Sequence, residues 1–372
     1  MGALRQNDVL RQRMGNQQLV APRWTEPADV VGWLGAVQSQ DYAGATWALG
    51  QRLPGASHAS IDRAFDAGSI LRTHVLRPTW HFVAPADIRW LLQLTGPRVT
   101  SVISAYGRTL GLDDEVLGTS RRAIARALQG GKHLARSELG TALRASGLEL
   151  NGPTLGHVMM HAELDGVICS GPRRGKQVTY ALLEERVAPA PALSRDEALA
   201  ELVRRYFLSH GPATVRDFVW WSGLTASQAR RGIAMLDTQL VSERLDGLEY
   251  WLAPSPSPSL PPPMPSEAYL LPNYDEYTVA YRDRDVYFDA ARAAALPRRY
   301  NVPFDHAVVL SGRVIGMWRR TVGKDALRVE TRLFVGLDAS GRVEAEVSDA
   351  AERYARFLGV PVVMEEASPT GS

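Results

Sequence analysis

Two glutamines, Gln38 and Gln40, stand either side of Ser39 in the stretch WLGAVQSQDYAGATWALG, residues 33–50. A side-chain amide is neither acid nor base. Its oxygen accepts hydrogen bonds and its nitrogen donates them, so two amides can hold a water molecule and turn dipoles towards charge that develops in a reaction. Trp33, Leu34 and Val37 fit one helical stripe, which stops at Gln38. Residues two apart share a face on an extended segment and oppose each other on a helix. If the chain straightens at Gln38, then Gln38 and Gln40 project together, with Asp41 beside them. The competing reading is a helix end whose amides only satisfy backbone groups.

Three other stretches could carry chemistry. ILRTHVLRPTWHFVAP gathers Arg72, His74, Arg77, Thr79 and His81 on two short strands either side of an Arg77-Pro78 turn. Alternation puts Thr79 and His81 on one side, with Trp80 and Phe82 on the other. A basic, aromatic hairpin can enter a nucleic-acid groove; equally, it can be a ribbon with solvated charges and Trp80 in the core. YDEYTVAYRDRD concentrates Asp275, Glu276, Arg282, Asp283 and Arg284. Paired carboxylates could serve glycosidic-bond chemistry. On a strand, though, neighbours face opposite ways, which favours an ion-pair cluster. SGPRRGK, 170–176, places Arg173, Arg174 and Lys176 at a hairpin tip suited to phosphate contact. WRRTVGK, 318–324, is a second basic cluster, with a solvated surface as its plainer reading. No phosphate-binding or dinucleotide fingerprint is present.

The elements that must position these residues follow from pattern. The stretch PSPSPSLPPPMP, 254–265, is expected as a semi-rigid linker. Before it, helix, helix, helix, hairpin recurs, which is the winged helix-turn-helix order. It reads over 101–190, with Ser137 as a candidate cap, and again over 191–253, with its hairpin turning at Asp246-Gly247. Residues 1–100 read as a looser copy that carries the glutamines and the basic hairpin. Residues 266–372 read as a smaller β-rich domain closed by a helix. The fold class is thus α+β, with three tandem winged helices and a C-terminal β-rich domain.

Composition narrows the function. Cys169 is the sole cysteine, which excludes an internal disulfide and a cysteine-based zinc site, and no histidine sits in a HExxH pattern. No apolar run reaches the ~18–20 residues of a membrane span. A cytoplasmic protein with no metal and no membrane is expected. Net charge is only +2, but just three of 42 basic residues are lysines (Lys132, Lys176, Lys324). Guanidinium groups suit phosphates and base edges. Genomic base composition yields the same bias.

AVQSQDYAGATWALGQRL, LRTHVLRPTWHFVAPADIRWLL, HGPATVRDFVWWSGL, LLPNYDEYTVAYRDR and GRVIGMWRR together resemble the bacterial winged-helix DNA glycosylases of the AlkZ/YcaQ type, in order, over nearly the whole chain. The resemblance implies an enzyme that removes bulky or crosslinking N7-alkylguanine adducts from double-stranded DNA, with no metal or organic cofactor. It places the family's catalytic signature on Gln38, Ser39 and Gln40, the double-glutamine form associated with self-resistance to DNA-alkylating natural products. The middle position is often apolar in that family. Asp275 and Glu276 fall in its C-terminal motif, as DNA contacts or as braces of the fold, and with Ser39 and Asp41 they are candidates for support of the site.

The chemistry then makes sense of the amides. An N7-alkylated guanine is cationic and leaves as a neutral base, so no general acid is required. Positive charge builds on the sugar, and an amide oxygen can face it while holding the attacking water. The hairpin 70–83, above all His74 and His81, would contact DNA near the lesion, by base flipping or within the groove. A monomer with no obligate protein partner is expected. Two alternatives stand: a non-catalytic winged-helix transcriptional regulator, which would bind paired half-sites as a dimer, and an enzyme on another substrate using the YDEY carboxylates.

Overall fold

The computed structural model describes residues 4–254, 264–289, 291, 305–323, 325–334 and 341–366, so most of the expected linker, 254–265, lies outside the described residues. The architecture is α+β. Helices α1 (Gln6–Asn16) and α2 (Pro27–Leu34) open it. Pro27 sits in the first turn of α2, where its missing N–H costs nothing. Gly35 then takes φ +82° and ends the helix. The stripe expected to reach Val37 therefore stops at Leu34, and Val37–Gln38 form a short strand, β1.

After α3 (Tyr42–Gly50) and α4 (His58–Ala67), strands β2 (Leu71–Val75) and β3 (Arg77–Val83) complete a sheet of order β1-β3-β2. The hairpin turns at Leu76 (φ +63°) rather than at Arg77-Pro78, which begin β3. Leu76 is fixed there because its side chain is buried and its N–H donates to Thr95 Oγ1 at 3.1 Å. Pro78 is tolerated because β1 pairs only with His81 and Phe82, further along β3.

Helix α5 (Ile88–Thr109) runs through position 100, so the first block passes unbroken into the next. There α6 (Asp114–Leu128), β4 (Leu134–Ala135), α7 (Arg136–Ala145), α8 (Gly152–Leu164), β5 (Ile168–Ser170), β6 (Thr179–Leu182) and α9 (Leu183–Arg186) follow. The cap of α7 is Ala135, not Ser137, and Glu138 accepts the Ala135 N–H at 2.6 Å. Helices α10 (Arg195–His210), α11 (Val215–Ser222) and α12 (Ala226–Leu236) precede the hairpin β7 (Val241–Leu245) and β8 (Leu248–Leu252). Asp246 and Gly247 both take positive φ, as a two-residue hairpin turn requires.

The last part holds β9 (Ala268–Leu271), α13 (Glu276–Val279), β10 (Ala307–Leu310), β11 (Arg313–Val322), β12 (Leu327–Leu333), α14 (Gly341–Leu358) and β13 (Val362–Glu366), with sheet order β13-β12-β11-β10-β9. Asp275 caps α13 by accepting the Tyr277 N–H at 2.9 Å. YDEY is thus a cap and a helical turn rather than a strand, and alternation does not apply to its two carboxylates.

One core joins Leu10 and Met14 of α1, Leu76 of the hairpin turn, Phe207 and Trp221 of α10 and α11, and Tyr277 and Met317 of the C-terminal part. A second joins Val30, Phe65 and Phe82 to Leu270, Trp318 and Tyr354. A third stays within residues 112–182. Ala36 belongs to the first core and Val37 to the second, so β1 lies along their seam.

Candidate active site

That seam fixes Gln38. Its N–H points away from β3 and donates to Glu276 Oε1 at 2.9 Å. Its side chain, 6% exposed, accepts Arg77 Nη2 at 2.9 Å on Oε1. Arginine only donates, so the amide orientation is set, and Oε1 keeps a second lone pair. Ser39 continues the extended pairing by donating its N–H to Trp80 O at 2.8 Å. Gln40 is exposed, and its Oε1 takes the Trp80 N–H at 3.3 Å. Both amides are therefore tied to β3, one through a side chain and one through the backbone.

Directly across the sheet from Gln38 is His81, and across from His81 is Thr73. His81 is fully buried. Burial and the nearby Arg77 charge push its pKa well below the ordinary value, so it is neutral. Its Nδ1–H donates to Thr79 O at 2.9 Å, while Nε2 and Thr73 Oγ1 have no protein partner among the described residues.

Glu276 is the hub behind Gln38. Its Oε2 accepts Trp221 Nε1 at 2.9 Å and faces His210 Nε2 at 3.3 Å. Burial alone would raise this carboxyl. The hydrogen bond and charge of His210, the Gln38 amide and the Arg77 charge outweigh it and hold the pKa below the usual range. Asp275 turns the other way, to Arg52, through two 2.8 Å bonds that are nearly solvent-free. Arg52 also donates to the Gln17 carbonyl and side chain. Asp275 thus braces α1 and α3 rather than facing a groove.

The hairpin residues are drawn inward. Arg72 lies 4.3 Å from the Trp80 ring centroid and donates Nε and Nη2 to Ser39 O at 3.1 and 2.9 Å. His74 is 4% exposed, and its Nδ1 is hydrogen-bonded to Glu163 of α8. His74 and His81 are therefore withdrawn from the surface expected to meet DNA, because β1 and α8 cover the hairpin. Thr79 is half-buried. Ser39 is buried, its carbonyl serving Arg72. Asp41 is half-buried, with Arg320 Nη2 at 3.4 Å from its Oδ2.

The cations of the 170–176 hairpin tip separate. Arg173 is held by Asp62 at 2.9 Å and Asp66 at 3.2 Å, bracing the tip against α4. Arg174 pairs with Glu138 at 2.8 Å. Lys176 is exposed and has no partner among the described residues. Sequence reasoning missed Arg52, Glu163, His210 and Trp221 as site residues. His210 and Trp221 lie inside HGPATVRDFVWWSGL, yet nothing in their spacing points to Glu276, 66 and 55 residues further on.

The model for DNA glycosylases of the AlkZ-like type matches residues 31–357, which include both glutamines, Glu276 and α11. The class so defined is a DNA glycosylase, a hydrolase of N-glycosyl bonds. The chain belongs to the AlkZ-like DNA glycosylase family. It is 26% identical over 319 residues to an interstrand DNA cross-link repair glycosylase of Streptomyces sahachiroi, covering 81% of this chain and 84% of that protein. Its fold is similar to the solved structure of S. sahachiroi DNA glycosylase AlkZ, with TM-score 0.77 and 23% identity over 98% of this chain and 100% of that one. No helix among the described residues is long and apolar enough to cross a membrane.

Proposed function

We propose that this protein is a monofunctional DNA glycosylase that hydrolyses the N-glycosidic bond of N7-alkylguanine in double-stranded DNA. Its substrates are bulky natural-product or crosslink adducts, in repair or self-resistance. Three tandem winged helices, 1–100, 101–190 and 191–253, and the smaller β-rich part present the duplex to Gln38 and Gln40, and the protein acts as a monomer. The two amides hold the attacking water, and the departing base needs no acid.

The observation that supports this best is the Arg77–Gln38–Glu276 chain. Arg77 aims the Gln38 amide. Glu276, one hydrogen bond behind Gln38, supplies negative charge in a dry setting, where it acts on a sugar turning positive. Asp275 and Ser39 are structural supports in this reading, while Asp41 and Arg320 border the site. Of the three cations at the 170–176 hairpin tip expected on DNA, Lys176 is the contact retained.

The test is incubation with duplexes carrying N7-methylguanine or bulkier N7 adducts, scored for alkali-labile abasic sites. Faster release by wild type than by Gln38→Ala and Gln40→Ala is expected. Equal release by all three, at the spontaneous rate, would remove the reading for those lesions.

A further inference from the structure

Water that adds to a sugar must shed a proton, and a side-chain amide is no base. Gln40 has given its Oε1 to the Trp80 N–H, and Gln38 shares its own with Arg77. These groups can hold a water but cannot take its proton. A carboxylate can. Glu276 is committed to Gln38, Trp221 and His210, and Asp275 to Arg52. Asp41 directly follows Gln40 and is placed differently.

Asp41 is the N-cap residue of α3, where an aspartate ordinarily accepts a helix N–H. Here its side chain accepts none. It is turned out instead, 33% exposed, and its one ion pair among the described residues is with Arg320 Nη2, 3.4 Å from Oδ2. Arg320 is held in turn by Tyr354, whose hydroxyl accepts its Nη1. Segments 38–41 and 273–276 meet at both ends. At one end the Gln38 N–H donates to Glu276. At the other, Asp41 Oδ2 and Asn273 Oδ1 stand 3.0 and 2.8 Å from the point that a Cβ on Gly44 would occupy. The missing Cβ lets both oxygens approach. Asn273 Oδ1 is buried with no hydrogen-bond partner among the described residues. Two acceptors therefore converge where no donor stands. A proton on Asp41 would supply the donor that Asn273 lacks.

We propose that Asp41 accepts the proton released in the reaction, and that Asn273 accepts a hydrogen bond from the carboxyl so formed. The water oxygen bonds to C1′ as the C1′–N9 bond breaks. The electron pair of that bond neutralises the N7-alkylated base. The proton shed by the water goes to Asp41 and from there to solvent, to which the side chain is open. Arg320 aims the carboxylate. The assignment rests on the reading of Gln38 and Gln40 as the pair that holds the water.

The test is single-turnover release of N7-methylguanine from a duplex at neutral pH, with the spontaneous rate subtracted. Asp41→Asn keeps the shape and loses the proton acceptor. It should release base roughly 10²-fold more slowly, with an unchanged melting temperature and unchanged affinity for a duplex carrying a tetrahydrofuran abasic analogue. Asp41→Ala should regain rate as sodium formate is added, and Gln38→Ala should not. Asn273→Ala should slow the wild type roughly fivefold and Asp41→Asn not at all. Release by Asp41→Asn at the wild-type rate would overturn the proposal, as would a loss in Asp41→Ala that formate does not restore. If Gln38→Ala and Gln40→Ala are crippled in the same assay while Asp41→Asn is not, only the Asp41 assignment falls. A wild type that releases no base above the spontaneous rate removes the reading of the glutamines, and that of Asp41 with it.

Discussion

The backbone N–H of Gln38 donates to the side chain of Glu276, 238 residues further along the chain, at 2.9 Å. The contact welds the edge strand of the glutamine motif to the C-terminal part, and it makes the charge of Glu276 testable apart from its shape. Glu276→Gln keeps an acceptor for Gln38 but removes the charge. We expect kcat on an N7-alkylguanine duplex to fall by about 10²-fold, with DNA affinity nearly unchanged. Single-turnover release of free base is the measurement.

Arg52 and Asp275 should matter to stability before activity. Arg52→Ala leaves Asp275 charged and buried, at a cost of about 3–5 kcal/mol. Denaturant melts of Arg52→Ala and of the double variant Arg52→Met with Asp275→Leu would read this. The double variant should recover much of the loss, because the stranded charge is gone.

His81 should make the fold acid-sensitive. Its folded pKa lies well below the unfolded 6.5, because burial and Arg77 disfavour the cation. The unfolded chain therefore binds more protons as pH drops below about 6.5, and stability falls with it. Above that pH the term is constant. His133, His157 and His161 are lowered too and carry the same sign. The His81 share is thus the difference between wild type and His81→Gln in denaturant midpoint from pH 7.5 to pH 5, and the variant should show the smaller drop.

Two cations of the 170–176 hairpin tip, Lys176 and Arg173, should behave differently. Lys176→Ala should lower the salt slope of duplex binding by about 1 and leave stability within about 0.5 kcal/mol. Arg173→Ala should chiefly lower the melting temperature, because its guanidinium holds Asp62 and Asp66. Equal salt slopes for Lys176→Ala and wild type would take this tip off the DNA.

Gly223 joins α11 to the hairpin turn. It takes φ +71°, and a Cβ there would meet Leu76 O at 2.4 Å. Both atoms belong to backbone, so the helix or the turn must move. Gly223→Ala should cost about 2 kcal/mol or more. Tryptophan emission should shift as well, since Trp220 and Trp221 ride on the displaced helix.

Much of this molecule is legible in its residues. The end of the apolar stripe offers the straightening at Gln38 as one of two readings, and Asp246-Gly247 announces the last hairpin. Motif recognition leads to the family and its enzyme class. The hairpin deceived, because its charges look solvated until β1 and α8 cover them; Glu163, which claims His74, lies 89 residues away with no local signal. The turn at Leu76 was hidden for a related reason. A non-glycine residue at positive φ is disfavoured locally and is held by tertiary burial. For Asp275 and Glu276 only the strand was misread, for want of the cap that turns YDEY into a helix start; the ion-pair and hydrogen-bond cluster expected there is present.

The seam along β1 also limits how this protein can be divided. A fragment ending at residue 253 would lack Glu276, Trp318 and Tyr354, leaving Gln38 without its acceptor and the second core without part of its residues. Residues 112–182 alone enclose a private interior. A graft exchanged there must still carry Glu163 and Ser170, since His74 and the Arg72 amide depend on them.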